Sequence, residues 1–487
     1  VSPTLRPTIA ALPTAPCAWM RHVALLNDYV RIPYANGSSF ASQFLFRELS
    51  RRGHRVTVVG PHDPEATADE LPPSHVTLPA LPLRNHPGVH LALPTPESLQ
   101  DLRVRRFDLV LGQTCNALMQ VGVHLRQTQR IPFLMVNTLH LPSAYVTLVP
   151  DAVADQRGVR YLFEERLVPF AERQTARTYD QSDGLIVLSP GMKRYWERLG
   201  VQAPIHVIPR AIEPKIFDRP AGPDPFPASA ARGGRLLVVC RHVREKGLSQ
   251  LLRIVAEHVL PQRPDVTLTL VGDGADSEAF RAEAEALGIL GATHWLGELP
   301  QTAMVDYYAH ADLFTYTSLS ETYGQVVSEA LYCGAPVVAL ADQMGVSGQV
   351  THDRDGLLVD PARPDADAAM GQAITALLAD PARRHTMRVE AMRRARLRGN
   401  PERVVARYHE AFEAAQAHCA AHAPRGRQRS DELKALARWA GLNGVASALG
   451  LLRAPVQVNR NRARPPSWTL ETVDRVTREM DAERSAA

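Results

Sequence analysis

Apolar residues along this chain gather in short unbroken runs, separated by longer stretches whose apolar positions recur every three to four residues. The first run, VALLNDY from Val23, is followed by a Gly-containing loop and an amphipathic segment from Ser39 to Arg51, with Phe40, Phe44, Leu45 and Leu49 at helical spacing. HRVTVVG, ending at Gly60, completes a strand–helix–strand unit. FDLVLGQ, PFLMVN and DGLIVLS continue the series, and runs apolar on both faces suit a parallel sheet covered by helices. The proline-rich interval Pro61 to Pro96 interrupts the rhythm and reads as an excursion of loops and short strands.

The rhythm restarts after IHVIPRAIEPKIF and the proline-, glycine- and alanine-rich DRPAGPDPFPASAARGG. RLLVVC, VTLTLVGDG, THWLG, ADLFTYTS and APVVAL alternate with helical stretches such as LSQLLRIVAEHV and SEAFRAEAEAL. The expected organisation is therefore a loose tail over 1–21, a first α/β domain over 22–204 and a second over 205–400. A closing helix over 401–421 follows, and then an extension over 422–487 to which the sequence assigns no role. Two doubly wound domains facing one another leave a cleft at the carboxyl ends of their strands, where open sheets place ligands.

Composition narrows the function without naming it. A chain of 487 residues, 45% hydrophobic, suits two domains rather than one core. The net charge is only +4, and lysine occupies four positions among 55 basic residues, so an arginine-rich composition accounts for the basic groups without a nucleic-acid partner. The five cysteines are widely spaced and odd in number, which fits reduced cytoplasmic thiols better than a disulfide framework or a zinc site. The proline-broken leader does not read as a signal peptide. The arginine-dense region Pro381 to Arg403 reads either as a solvated helix face or as a contact with an anionic membrane surface, which would put the protein at the inner face of the membrane.

Candidate chemistry lies at the strand ends. Gly37, after the first strand, permits either a plain turn or close approach of an anion to a helix start. Arg241 directly follows RLLVVC, and Lys246 lies five residues on, beside Gly247; two cations at a strand exit can neutralise phosphoryl oxygens, although a solvated basic loop has the same composition. Gly272 closes another strand, and Gly297, Glu298 and Leu299 follow the next, where backbone groups can meet a nucleobase. His140, beyond PFLMVN, serves either as a loop cap or as a donor to a sugar hydroxyl or phosphate. Ser189 lacks the small-residue elbow of a strained nucleophile.

SETYGQVVSEALYCGAPVVAL carries two acids among core-like residues. Glu321 is expected in a loop after the strand LFTYTS, and Glu329 within a helix beginning near Tyr323. Their eight-position separation spans about 12 Å if fully helical, comparable with the reach from ribose to sugar in a nucleotide sugar. The amides of Gly324, Gln325 and Val326 would then meet the diphosphate.

These residues resemble the retaining glycosyltransferases of the two-domain GT-B fold, in particular the large bacterial family 4, from Ala24 to about His409. The most specific match is the pair Glu321 and Glu329 followed by ALYCGAPVVA; Arg241 and Lys246 match the donor-phosphate pair, Gly37 the glycine near the diphosphate, and His140 the active-site histidine of the first domain. Cys240 stands where glycine is common before the arginine, Arg210–Ala211 where Asn-Gly is common between the domains, and Tyr323 where phenylalanine is common. The resemblance implies an α/β fold of two Rossmann-like domains and transfer of a hexose from a UDP- or GDP-linked sugar to a hydroxyl, with retention and no required metal. Glu321 would orient the sugar, Glu329 would hold the ribose, and Tyr323 would pack beside them. The acceptor would be a lipid, a lipid-linked sugar or a soluble sugar. A nucleotide-sugar epimerase of related shape and a non-enzymatic sugar-binding protein are the competing classes.

Overall fold

A computed structural model of the chain describes residues 21–28, 37–82, 90–114, 118–140, 157–227 and 234–422, with a few isolated positions besides. Most of the tail, Asn36, the residues just after His140 and nearly all of the extension beyond 422 lie outside the described residues.

The first sheet holds β1 (His22–Asn27), β2 (Arg55–Pro61), β3 (His75–Leu78), β6 (Leu109–Gln113), β7 (Phe133–Val136), β8 (Gly184–Val187) and β9 (Ile205–Val207), in the order β3-β2-β1-β6-β7-β8-β9. Between β3 and β6, β4 (Ala80–Pro82) and β5 (His90–Ala92) form a separate antiparallel pair. All pairings in the seven-stranded sheet are parallel. The five inner strands are buried almost throughout, as a sheet covered on both faces demands, while the edge strands β3 and β9 are partly exposed. The proline-rich interval is more than an excursion, because β3 within it extends the sheet beyond β2. Likewise β9 pairs with β8, so the boundary expected between residues 204 and 205 falls after this strand rather than before it.

The second sheet runs β12-β11-β10-β13-β14-β15, built from β10 (Gly234–Val239), β11 (Val266–Val271), β12 (Thr293–Gly297), β13 (Leu313–Tyr316), β14 (Val337–Leu340) and β15 (Gly356–Val359), again all parallel. The order reverses at β10 and β13, and the exits of these two strands carry Arg241 and Glu321. Such a switch point opens a crevice between neighbouring loops.

Five helices matter for the site: α1 (Gly37–Arg51), α2 (Gln301–His310), α3 (Gln325–Tyr332), α4 (Pro381–Arg398) and α5 (Pro401–Ala421). α4 ends at Gly399, and Asn400 caps α5 through its side chain, with Pro401 at the first turn. α5 then crosses back to the first domain, where Val404, Tyr408, Ala411, Phe412 and Ala415 pack with Val23, Leu25, Val136 and Ile186. Covalent return of the chain to its first half ties the domains together at the hinge.

Two arginines of α4 serve neither of the roles expected for this region, although Arg393 and Arg396 are exposed, as a solvated face has them. Arg388 donates to the carbonyls of Ala309 and Ala311, both at 2.8 Å, and Arg384 to those of Leu377 and Leu378 at 2.7 and 2.6 Å. These carbonyls lie at or beside helix ends, where intrahelical donors run out, although the Leu377 carbonyl also accepts from Asp380 N at 3.2 Å. Both arginines serve packing inside the second domain.

Candidate active site

The loop after β10 is shaped by contact with the loop after β11. Gly272 has φ +123°, and a Cβ there would stand 1.9 Å from the carbonyl oxygen of Cys240; a Cβ on Gly274 would stand 2.3 Å from that of His242. His242 N donates to the Asp273 carbonyl at 2.9 Å, and Asp276 N returns a bond to the His242 carbonyl at 3.0 Å. Glycine at 272 therefore follows from backbone approach, and its consequence is the fixed exit of Arg241. The Arg241 side chain is 55% exposed and meets Glu245 at 3.0 Å.

Lys246 and Glu321 form the centre of the site. Lys246 Nζ donates to Glu321 Oε1 at 2.7 Å, with the two side chains 13% and 14% exposed. The same carboxylate accepts from Tyr316 Oη at 2.8 Å and Ser318 Oγ at 3.1 Å. Burial alone would raise the Glu321 pKa, yet the Lys246 charge and the three donors outweigh it and hold the carboxyl below its usual range. Burial alone would lower the Lys246 pKa, but Glu321 and Glu245 hold it above the usual ammonium range. Both groups are charged at neutral pH, paired in a dry setting.

The backbone of Glu321 is held as well. Gly345 N donates to the Glu321 carbonyl at 2.8 Å, and Asp342 organises that loop by accepting from the amides of Met344, Val346 and Ser347, each at 2.9 Å. A Cβ on Gly345 would stand 2.6 Å from that same carbonyl, so glycine permits the contact.

α3 begins at Gln325 rather than near Tyr323. Gly324 precedes it with φ +79°, a left-handed conformation that any side chain would strain, and so the chain turns sharply between the two acids. Glu329 is buried on α3; it accepts from Gln301 at 2.7 Å and Tyr308 at 3.1 Å on α2, with Gln325 at 3.4 Å. The two acids thus belong to separate polar networks, one facing β10 and the other facing α2. Sequence reasoning missed Tyr316, Ser318, Gln301 and Tyr308, since a strand tyrosine and a helix-start glutamine read as ordinary packing and capping residues.

Other expected positions fall as follows. Gly37 starts α1. His140 lies four residues beyond β7 with its ring 5.4 Å from that of Tyr195 at 61°, and burial lowers its pKa, favouring neutral imidazole. The Tyr323 ring is 2% exposed and packs in the core shared with α5, its hydroxyl donating to the Arg210 carbonyl at 3.2 Å. Gly297 has φ +66° with open space around the position of a Cβ, Glu298 is exposed, and Leu299 packs on the second domain's core. Arg210 stands near Glu321, Tyr323 and Tyr408, and its burial depresses its pKa. Among the described residues no cluster of three or more His, Cys, Asp or Glu side chains is arranged to hold a metal ion, and no helix is long and apolar enough to cross a membrane.

Two parallel-sheet domains with paired charges at the switch point of the second define a two-domain glycosyltransferase of the GT-B fold. Residues 36–215 match the model of "Glycosyltransferase Family 4" and residues 228–394 that of "Glycosyl transferases group 1". The chain belongs to the group 1 glycosyltransferases. It is 30% identical over 284 residues to a D-inositol 3-phosphate glycosyltransferase of Kribbella flavida, covering 55% of this chain and 62% of the relative, so the match spans less than two thirds of that protein. A GDP-mannose-dependent alpha-mannosyltransferase of Mycolicibacterium smegmatis is 27% identical, covering 72% of this chain and 87% of its own. In fold the chain is similar to sucrose-phosphate synthase from Thermosynechococcus elongatus, with TM-score 0.62, 23% identity, and coverage of 82% of this chain and 99% of the other. Both matched family models are of glycosyltransferases, which leaves the epimerase alternative without support.

Proposed function

We propose that the protein transfers a hexose from a nucleoside diphosphate sugar to an acceptor hydroxyl, with retention at the anomeric carbon and without a required metal. The observation that carries this reading is the buried Lys246–Glu321 pair at 2.7 Å beside the exit of Arg241. Arg241 and Lys246 supply positive charge for the departing diphosphate, joined by amides at the start of α3 around Gln325 and Val326. Glu321 already accepts three hydrogen bonds on one oxygen, which suits it to orient a sugar hydroxyl rather than to attack. Glu329, held by Gln301 and Tyr308, binds the ribose hydroxyls. The acceptor attacks on the face the diphosphate leaves, and a diphosphate oxygen takes its proton. His140, neutral, donates to an oxygen of the transferred sugar. Gly37 and Gly297 to Leu299 offer backbone contacts to diphosphate and base, and closure of the domains excludes water.

The nucleotide is UDP or GDP. A GDP-mannose-dependent relative and a solved Anabaena HepE complex with UDP and glucose support these two in turn. The phosphorylated inositol named for other relatives makes a soluble phosphorylated polyol an acceptor to set beside lipid and lipid-linked sugars. A screen of UDP- and GDP-hexoses with inositol phosphate, lipid extract and soluble sugars tests the reading, with the anomeric configuration read by NMR. An inverted product, or nucleotide-sugar turnover that yields only an epimerised sugar, sinks it.

A further inference from the structure

Where the two domains and α5 meet, the chain forms a cavity of about 700 Å³ that is open to solvent on one side. Its walls come from the exits of β8 and β9, from Gly348 and Gln349, and from α4 and α5 on either side of their junction. Of the expected donor-site residues Tyr323 lines it, but Arg241, Lys246, Glu321 and Glu329 do not, so it is distinct from the donor crevice. Five arginines, Arg393, Arg394, Arg398, Arg403 and Arg407, face a single acid, Glu410.

Internal partners account for only part of that charge. Arg393 pairs with Glu390 at 2.7 Å and Arg394 with Asp355 at 2.8 Å. Arg403 and Arg407, both exposed, make no side-chain ion pair among the described residues. Arg398 uses Nη1 on the Gln349 carbonyl at 3.0 Å, while its Nε and Nη2 are buried with no hydrogen-bond partner and closed off from the cavity's water-accessible space, so a turn of the guanidinium is what brings them to an anion there. A guanidinium donor removed from water and left unsatisfied is costly, and an anion supplied from outside removes that cost. Several guanidinium forks converging on one space match the oxygens of a phosphate better than a single carboxylate. Leu188, Pro190, Val207 and Leu397 add apolar wall, giving an organic body somewhere to rest.

We propose that this cavity binds a phosphate-bearing small molecule, separate from the sugar donor, through Arg398 at its base and Arg403 and Arg407 at its rim. Because its walls belong to both domains, the occupant bridges them. The phosphate belongs either to a free metabolite or to a lipid headgroup, and the test has an arm for each. Calorimetry with inorganic pyrophosphate, and sedimentation with vesicles containing phosphatidic acid, are run on the full chain carrying Arg241→Ala so that binding in the donor crevice is weakened. Arg398→Gln, and separately the exposed pair Arg403→Ala/Arg407→Ala, are then added. The expected result is binding in one arm that weakens about tenfold or more in both, in line with loss of charge-assisted hydrogen bonds. Pyrophosphate binding assigns a soluble ligand, and vesicle binding alone a headgroup. Absence of both, or binding that the Arg403→Ala/Arg407→Ala protein retains in full, overturns the proposal; that variant carries no buried change that would disturb folding.

Discussion

Lys246→Met tests the electrostatics of the centre directly, because it removes the ammonium while keeping most of the side chain's bulk. Breaking a buried ion pair from one side costs about 3–5 kcal/mol, since the remaining charge stays out of water. Glu321 retains Tyr316 and Ser318 as donors, which places the expected loss near the lower end, about 3 kcal/mol at pH 7. The pH dependence gives the sharper result. In the parent protein the Glu321 pKa is depressed, so its contribution is present above the ordinary carboxylate range and is lost as pH falls through the lower folded value. In the variant, burial acts without its main opponent and raises the pKa; the carboxyl then stabilises the fold below the ordinary range and loses that contribution as pH rises through the raised value. Urea unfolding midpoints, followed by intrinsic fluorescence from pH 4 to pH 7, should separate steadily between the two proteins as pH rises. The difference between the curves cancels other titrating groups. A separation that is constant with pH, or that shrinks towards pH 7, would refute the argument that Lys246 holds the buried carboxylate ionised.

Arg241→Ala removes a half-exposed cation with one acidic neighbour, so stability should stay within about 0.5 kcal/mol while kcat/KM falls about 10²–10³-fold in a radiolabelled-donor assay. Retained activity would exclude Arg241 from the diphosphate site. Gly272→Ala places a Cβ 1.9 Å from the Cys240 carbonyl and should lower the unfolding midpoint far more than Gly53→Ala, whose φ is also positive but whose surroundings are open. Equal losses would mean that backbone strain alone, without the clash, sets the cost. Glu329→Gln should weaken binding of UDP or GDP more than that of their 2′,3′-dideoxy analogues in calorimetry; equal weakening would remove the ribose assignment. Arg388→Ala deletes two hydrogen bonds to carbonyls and should cost about 2–3 kcal/mol, read by denaturant unfolding, with donor KM unchanged.

The alternation of strands and helices was legible because parallel strands buried on both faces leave unbroken apolar runs, as in LLVV of β10 and TLTLV of β11. Where burial is partial the signal fades. β9 is half-buried along its length and was assigned to the wrong side of the domain boundary, while β3 lay hidden among prolines. The charged candidates could be placed because strand ends bound their positions, and Arg241, Lys246 and Glu321 do lie at the exits of the adjacent strands β10 and β13. Their partners could not, since the Tyr316 hydroxyl and the Gln301 amide take their meaning from residues on other elements. The arginines of α4 show the same limit: composition counts the charges, but only packing reveals that Arg384 and Arg388 finish the hydrogen bonding of helix ends.

The two cations at the β10 exit are not equivalent, and the difference bears on how a donor would be handled. Arg241 faces water, so a diphosphate approaching it exchanges one hydrated partner for another at little structural cost. Lys246 is already desolvated and oriented by Glu321, so the expense of removing it from water is met on folding rather than on binding. A diphosphate drawing Lys246 away would leave Glu321 short of its strongest donor, and a sugar hydroxyl set beside that carboxylate supplies a replacement. On the proposed reading, phosphate and sugar would complete one network from opposite ends: the nucleotide alone would disturb it, and the intact nucleotide sugar would restore it. Selectivity for the whole donor over its leaving group would follow from that coupling, because only the sugar-bearing ligand would satisfy both the cation and the acid.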